Sequence, residues 1–352
     1  MAPLVHECHQ VPTWETKVIV TGQHREMLDQ VLDIFQITPD YDLNIMSHGQ
    51  SLTDITQRVL LGMEGVFRAW KPDLVLVHGD TSTAFAAALA SFYWQIPVGH
   101  VEAGLRTESI ANPFPEEANR RLTDVLTTWY FAPTQLAAEN LYREGIDPSK
   151  VFITGNTVID ALLSVVDQDY EFIHPSLQAL DFTKPVLVVT AHRRENWGAP
   201  LTNICEALLE ISARYECEIV VSMHRNPTLQ EVMKELLGQD PQVKLVEAPD
   251  YREFANLLAR STLLLTDSGG LQEEAPALHK PVLVLREVTE RPEGVEAGTL
   301  KLVGHDKKEI VTQVSKLLED PKLYQKMSQA PNPYGDGRAA QRIREILQQK
   351  YK

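Results

Sequence analysis

What most constrains this chain is an alternation of short apolar runs, rich in β-branched residues, with stretches of helical periodicity. The runs in the first half are "KVIVTG" (17–22), "DLVLVHGD" (73–80), "PVGHVEAG" (97–104), "WYFAP" (129–133) and "VFITG" (151–155). In the second half come "PVLVVTAHR" (185–193), "CEIVVSMH" (217–224), "VKLVEAP" (243–249), "TLLLTDSGG" (262–270), "PVLVLRE" (281–287) and "TLKLVG" (299–304). Runs this short, spaced by helices, predict parallel sheets with crossover helices. Most of them end in Gly, His, Asp, Glu or Arg, and open parallel sheets bind ligands beyond the carboxyl ends of their strands. With 352 residues, two domains are expected rather than one core, and the polar, less regular stretch 160–184 is the expected boundary. Two such sheets facing each other would create one cleft.

Composition removes several function classes. With 43% hydrophobic and 23% charged residues and no low-complexity tract, the chain reads as a soluble globular protein. No apolar run approaches the roughly 20 residues that span a bilayer, so no membrane partner is expected. The opening "MAPLVHECHQ" lacks a basic segment and an apolar core, so no export signal is read. Three scattered cysteines, Cys8, Cys205 and Cys217, suit a reducing cytoplasm and match no metal-site spacing. A net charge of −15 disfavours nucleic acid as a partner, while a small anion remains possible where cations gather locally.

Phosphate chemistry concentrates in the second half. "TLLLTDSGGLQEEAPAL" (262–278) reads as strand, Ser268-Gly269-Gly270 turn and helix, where a phosphate can approach bare backbone and free helix-start N–H groups. Glu274, about one turn in, is placed to accept hydrogen bonds from ribose hydroxyls. The competing reading is a tight turn with acids favouring a helix start. "TAHRRENWG" (190–198) sets His192, Arg193 and Arg194 after a buried strand, suiting a diphosphate with a His able to give it a proton. Alternatively, one Arg simply pairs with Glu195. His224 in "MHRNP" is a weaker echo, and "TERPEGVEAGT" (289–299) adds Arg291.

The first half offers carboxylates. Asp80 in "HGDTST" stands between a strand and a helix and is either functional or the helix N-cap. Glu102 in "GHVEAGLRT" ends an apolar strand, where an unpartnered carboxylate is costly; it is either functional or paired, with Arg106 the candidate partner. "PFPEEANRR" (113–121) puts Pro115 at a first helical position with Glu116 and Glu117 behind it, a pattern of helix-start electrostatics or of proton transfer. Carboxylates in one half and phosphate-binding groups in the other suit carbon–proton chemistry on a nucleotide-linked substrate.

Eight of these segments, "HGDTST", "PVGHVEAGLRT", "PFPEEANR", "FITGNTVIDAL", "TAHRREN", "LTDSGGLQEEAP", "TERPEGVEAGT" and "NPYGDGRA", together resemble the non-hydrolysing UDP-N-acetylglucosamine 2-epimerase family, in its order. The resemblance implies an α/β, GT-B-like fold of two doubly wound domains with the active site between them. The expected spans are 1–165 for the first domain and 166–352 for the second, with the last helix packing back on the first. It implies reversible conversion of UDP-GlcNAc to UDP-ManNAc, for cell-surface polysaccharides, by elimination of UDP to a 2-acetamidoglucal and re-addition. A cytoplasmic homodimer without metal or other cofactor is expected. Asp80, Glu102 and Glu116 match the acid/base positions, and His192 a catalytic position near the diphosphate. Arg193, His224, Phe254, Ser268, Gly269, Gly270, Glu274 and Arg291 match substrate-binding positions, Phe254 near the uracil. Of the two adjacent acids, the resemblance points Glu116 at the sugar and leaves Glu117 to the helix start. Gln23 and Arg58 match positions lining a regulatory UDP-GlcNAc site, whereas Glu26 stands where some activated relatives carry Gln. Family members also open with a strand and a "GTRPEAIK"-type loop ahead of "MAPLV", so a first sheet lacking a central strand is expected. The alternatives are a 2-epimerase of a UDP-diacetamido uronic acid and a GT-B glycosyltransferase.

Overall fold

The computed structural model describes residues 1–23, 25–47, 49–107, 109–224, 226–247 and 249–351. The chain forms two compact units: Met1–Ala161 together with the stretch from Tyr334 onward, and Leu162–Pro333.

In the first unit, β1 (Ile19–Val20) and β2 (Tyr41–Asp42) form a parallel pair. A separate four-stranded parallel sheet runs in the order β3 (Val75–His78), β4 (Val98–Val101), β5 (Trp129–Ala132), β6 (Val151–Ile153). No strand pairing joins the two sheets among the described residues, yet they share one apolar cluster. Ile19, Leu43 and Ile45 pack there with Val75, Val77 and Val98. The helices Ala2–His9 and Ala339–Lys350 cover another part of this unit. Leu4 and Cys8 meet Ile343 and Leu347 over Val101 and Phe131, and Arg344 pairs with Glu7 at 2.9 Å.

The second unit holds β7 (Val186–Thr190), β8 (Glu218–Met223), β9 (Val243–Glu247), β10 (Leu263–Thr266), β11 (Val282–Val284) and β12 (Leu300–Leu302). All pair in parallel, in the order β12-β11-β10-β7-β8-β9. Strands alternate between two apolar layers: Leu187, Val189, Leu263 and Leu265 face one, and Val186, Val188 and Leu264 the other. Burial on both faces explains why these strands read as unbroken apolar runs. Successive strands run outward from β7 in one direction and from β10 in the other. The carboxyl ends of β7 and β10 therefore flank the topological switch point, where open α/β sheets bind ligands.

Eleven of these strands fall inside the eleven apolar runs; the twelfth, β2, is a two-residue Tyr-Asp strand without an apolar run to announce it.

Candidate active site

The first unit gathers carboxylates at the carboxyl ends of its strands. Glu102 follows β4 with φ +68°, a conformation side-chain-bearing residues rarely hold, and such strain concentrates at functional sites. Its Oε2 accepts a hydrogen bond from Asn156 Nδ2 at 3.0 Å, and His78 Nε2 lies 3.6 Å away. Burial, reinforced by the N-terminal amino group and His100, pushes His78 down to about 3, so this imidazole is neutral.

Arg106 is not the partner of Glu102. It pairs with Asp124 at 2.7 Å and forks onto Glu144 at 2.7 and 2.6 Å. The chain turns away at Gly104, whose φ is +86°; a Cβ there would strike the Ala137 carbonyl. Asp124 in turn meets His100 Nδ1 at 2.6 Å, and His100 Nε2 donates to the Gly79 carbonyl at 2.8 Å. Asp124 sits below the usual carboxylate range because His100 and Arg106 outweigh the opposing effect of burial. An ionised Asp124 on one side and a carbonyl on the other both accept, so His100 carries both ring protons. This buried imidazolium grips the Gly79 backbone next to Asp80.

Asp80 is not the cap of the following helix. That helix is Ser82–Tyr93, and Thr81 caps it by accepting from Ala84 N–H at 3.1 Å. Asp80 instead receives Arg120 Nη2 at 2.5 Å. The adjacent acids part company on the helix Glu116–Leu126, which opens with Pro115 as its N-cap rather than as a first helical residue. Glu117 is fully buried and binds Arg120 at 2.6 Å, Arg121 at 2.7 Å and Thr107 N–H at 3.2 Å. Its role is therefore a buried anchor, more than the helix-start charge expected for it. Glu116 is partly exposed, with no such anchoring contact among the described residues.

In the second unit the switch point carries a connected group. Asp267, directly after β10 and fully buried, receives His192 N–H at 2.7 Å, Arg193 N–H at 2.8 Å and Asn196 Nδ2 at 2.9 Å, all on Oδ2. His192 Nδ1 stands 3.0 Å from its Oδ1. The His192 ring stacks on His224 with centroids 5.5 Å apart and planes 7° from parallel, and His224 Nδ1 accepts from Asn226 N–H. Ser268 N–H turns back to Thr266 Oγ1 at 3.0 Å. Gly269 lies under Arg193, whose Nη2 would be 3.7 Å from an added Cβ; the missing side chain leaves that backbone approachable. Gly270 begins the helix Leu271–Ala277, and burial with help from Glu273 raises Glu274 to about 7.

Arg291 is no solvated loop residue: its Nε donates to the buried Glu273. Glu195 does take an arginine, but from Arg286 rather than from its own segment. Phe254 packs against the apolar layer beneath the sheet, outside this hydrogen-bonded group. Of the two regulatory candidates, Gln23 accepts from Thr83 Oγ1 at 2.9 Å, while Arg58 donates to the Ile45 carbonyl and Ser47. No shared contact joins them among the described residues. Nor do three or more His, Cys, Asp or Glu residues converge there as a metal site. Asp267, Asn156 and His100 escape a reading of motifs one at a time, because their partners lie tens of residues away.

A second unit whose switch point offers cations and bare backbone, in one chain with a first unit that carries strand-end carboxylates, defines a GT-B-like enzyme of nucleotide sugars. The family model described as UDP-N-acetylglucosamine 2-epimerase matches residues 6–348. The chain belongs to that family. It is 52% identical to the UDP-N-acetylglucosamine 2-epimerase of Escherichia coli over 361 residues, covering 99% of this chain and 94% of that one. The Bacillus subtilis UDP-N-acetylglucosamine 2-epimerase is 51% identical over 348 residues, covering 99% and 91%. A crystal structure of the UDP-GlcNAc 2-epimerase from Neisseria meningitidis, bound to UDP-GlcNAc, matches with a TM-score of 0.89 and 47% identity, over 99% of this chain and 96% of that one. No helix among the described residues is long and apolar enough to cross a membrane.

Proposed function

We propose that this chain interconverts UDP-GlcNAc and UDP-ManNAc as a cytoplasmic homodimer supplying cell-surface polysaccharide synthesis. In the forward direction the C1–O bond to UDP breaks and the C2 proton leaves, creating the C1=C2 double bond of 2-acetamidoglucal. Return of a proton to the opposite face of C2 and of UDP to C1 gives the epimer. The observation that carries this reading is the set of acids at the strand ends of the first unit, in a chain half identical to 2-epimerases. The C2 hydrogen is barely acidic until UDP departs, so proton removal and leaving-group stabilisation have to act together. Asp80, Glu102 and Glu116 supply acid/base groups for the two faces. His192, Arg193, His224, Ser268, Gly269, Gly270 and Arg291 take the diphosphate, Glu274 the ribose and Phe254 the uracil side.

Incubation with UDP-GlcNAc in deuterated water is expected to yield UDP-ManNAc carrying deuterium at C2. Absence of both the epimer and the label overturns the proposal, and accumulation of UDP with free ManNAc assigns a hydrolysing epimerase instead. Conversion only of a UDP-diacetamido uronic acid in a substrate panel would replace the sugar.

Glu274 gives a second test. As a carboxylate it accepts from ribose hydroxyls; below about 7 it is protonated and loses acceptor strength. UDP affinity should therefore rise as pH increases towards 7 and level off above it. Glu274→Gln should bind UDP more weakly and lose that part of the pH dependence. Calorimetric titration of both proteins across pH 5.5–8.5 (roughly, to bracket the carboxyl and the UDP phosphate near 6) separates the ligand's own titration from that of the protein.

A further inference from the structure

We propose that Asp267 is the positioning residue that sets the tautomer of His192, keeping a proton on Nδ1 and presenting Nε2 to the departing diphosphate. The Nδ1 assignment stands on geometry; the role of Nε2 rests on the reaction proposed above. Asp267 is fully buried, and its two oxygens are not equivalent. Oδ2 is filled by three donors, His192 N–H, Arg193 N–H and Asn196 Nδ2, at 2.7 to 2.9 Å. Oδ1 is a buried acceptor that makes no well-aligned hydrogen bond among the described residues, and His192 Nδ1 stands 3.0 Å from it. Burial works against ionisation of this carboxyl, but the His192 ring, Arg193 N–H and Asn196 together hold it below the usual range. An ionised Asp267 only accepts, so the ring atom facing it has to carry hydrogen. Stacking on His224 fixes the ring plane, and the His192 side chain is 35% exposed, leaving its far edge open to a ligand. With both ring nitrogens protonated at the start, Nε2–H gives its proton to the leaving phosphate oxygen, which leaves the neutral Nδ1–H ring. Nε2 takes that proton back when UDP re-adds, so no net proton is consumed.

Asp267→Asn is an unusually direct test. Three donors require an acceptor where Oδ2 stood, so the amide oxygen occupies that place and the amide NH2 faces His192 Nδ1. A donor there forces the neutral ring into the Nε2–H tautomer while the 192–196 segment keeps its anchor. In ¹⁵N-histidine spectra, the neutral His192 of the parent is expected to carry its proton on Nδ1 and that of Asp267→Asn on Nε2. Turnover should fall by about a hundredfold or more with KM within about threefold. In a His192→Gln background, Asp267→Asn should cost nothing further, because it acts through the ring. An Nε2–H tautomer in the parent overturns the proposal without reference to any variant. So do an unchanged tautomer in Asp267→Asn, additive losses in the double variant, or a fall confined to UDP affinity. If the parent forms no UDP-ManNAc, the reaction proposed above fails, while the parent spectrum still decides the tautomer.

Discussion

Glu117→Gln is expected to destabilise the first unit by about 3–5 kcal/mol, the cost of removing one partner from a buried ion pair. Glu117 is fully buried, and its charge holds Arg120 and Arg121 while one oxygen also receives Thr107 N–H. An amide satisfies some of these donors but leaves Arg120, itself buried, with less counter-charge. Arg120 also reaches Asp80, so the damage extends to a proposed acid/base group. Glu116→Gln, one residue away, should melt within a degree or two of the parent and bind UDP normally. Its turnover should fall by roughly 10²–10⁴-fold, the range for a lost acid/base group. Thermal unfolding and a UDP-ManNAc assay on the two variants decide the assignment. A fully active Glu116→Gln beside a folded but inactive Glu117→Gln would reverse the roles of the pair.

Asp124→Asn should be comparably severe, at about 3–5 kcal/mol, because it strips the shared counter-ion from two buried cations. His100 is fully buried and Asp124 nearly so; Arg106 keeps Glu144, but His100 keeps, among the described residues, only the Gly79 carbonyl. The loss should appear in activity as well as in melting temperature, since Gly79 adjoins Asp80. The sign with pH follows from the lowered carboxyl of Asp124. A carboxyl held down in the folded state stabilises it above the unfolded value, near 3.9, and that stabilisation is lost as pH falls through the folded value. The variant should therefore show a flatter decline in acid than the parent. Equal acid limbs in denaturation curves would show that Asp124 contributes no such charge.

The strand pattern was legible because burial on both faces writes itself into local composition, as in "PVLVVTAHR". β2 was not, because a Tyr-Asp pair held by backbone hydrogen bonds leaves no apolar trace. Sites divided the same way. The placement of His192–Arg193 and of the Ser268-Gly269-Gly270 turn just past strand ends was legible because both follow unbroken apolar runs. Their link through Asp267, 75 residues beyond His192, is a property of strand order and not of any local spacing. Arg106 shows the converse error. Four residues from Glu102, it looked like a partner, but the left-handed turn at Gly104 sends it to Asp124 and Glu144. The adjacent acids at 116 and 117 needed helical geometry: a step of about 100° separates a buried anchor from a partly exposed carboxylate.

The helix Ala339–Lys350 packs on the helix Ala2–His9, so the first unit is assembled from two segments far apart in the chain, whereas Leu162–Pro333 is one uninterrupted stretch. This imposes an order on biosynthesis. Emerging from the ribosome, the uninterrupted unit has all its strands before the last helix is translated and is free to close first. The unit bearing the carboxylates has to wait with Leu4, Cys8 and Phe131 uncovered until Ile343 and Leu347 arrive. During that interval its apolar surface is open to chaperones and to aggregation, until the helix Ala339–Lys350 covers it.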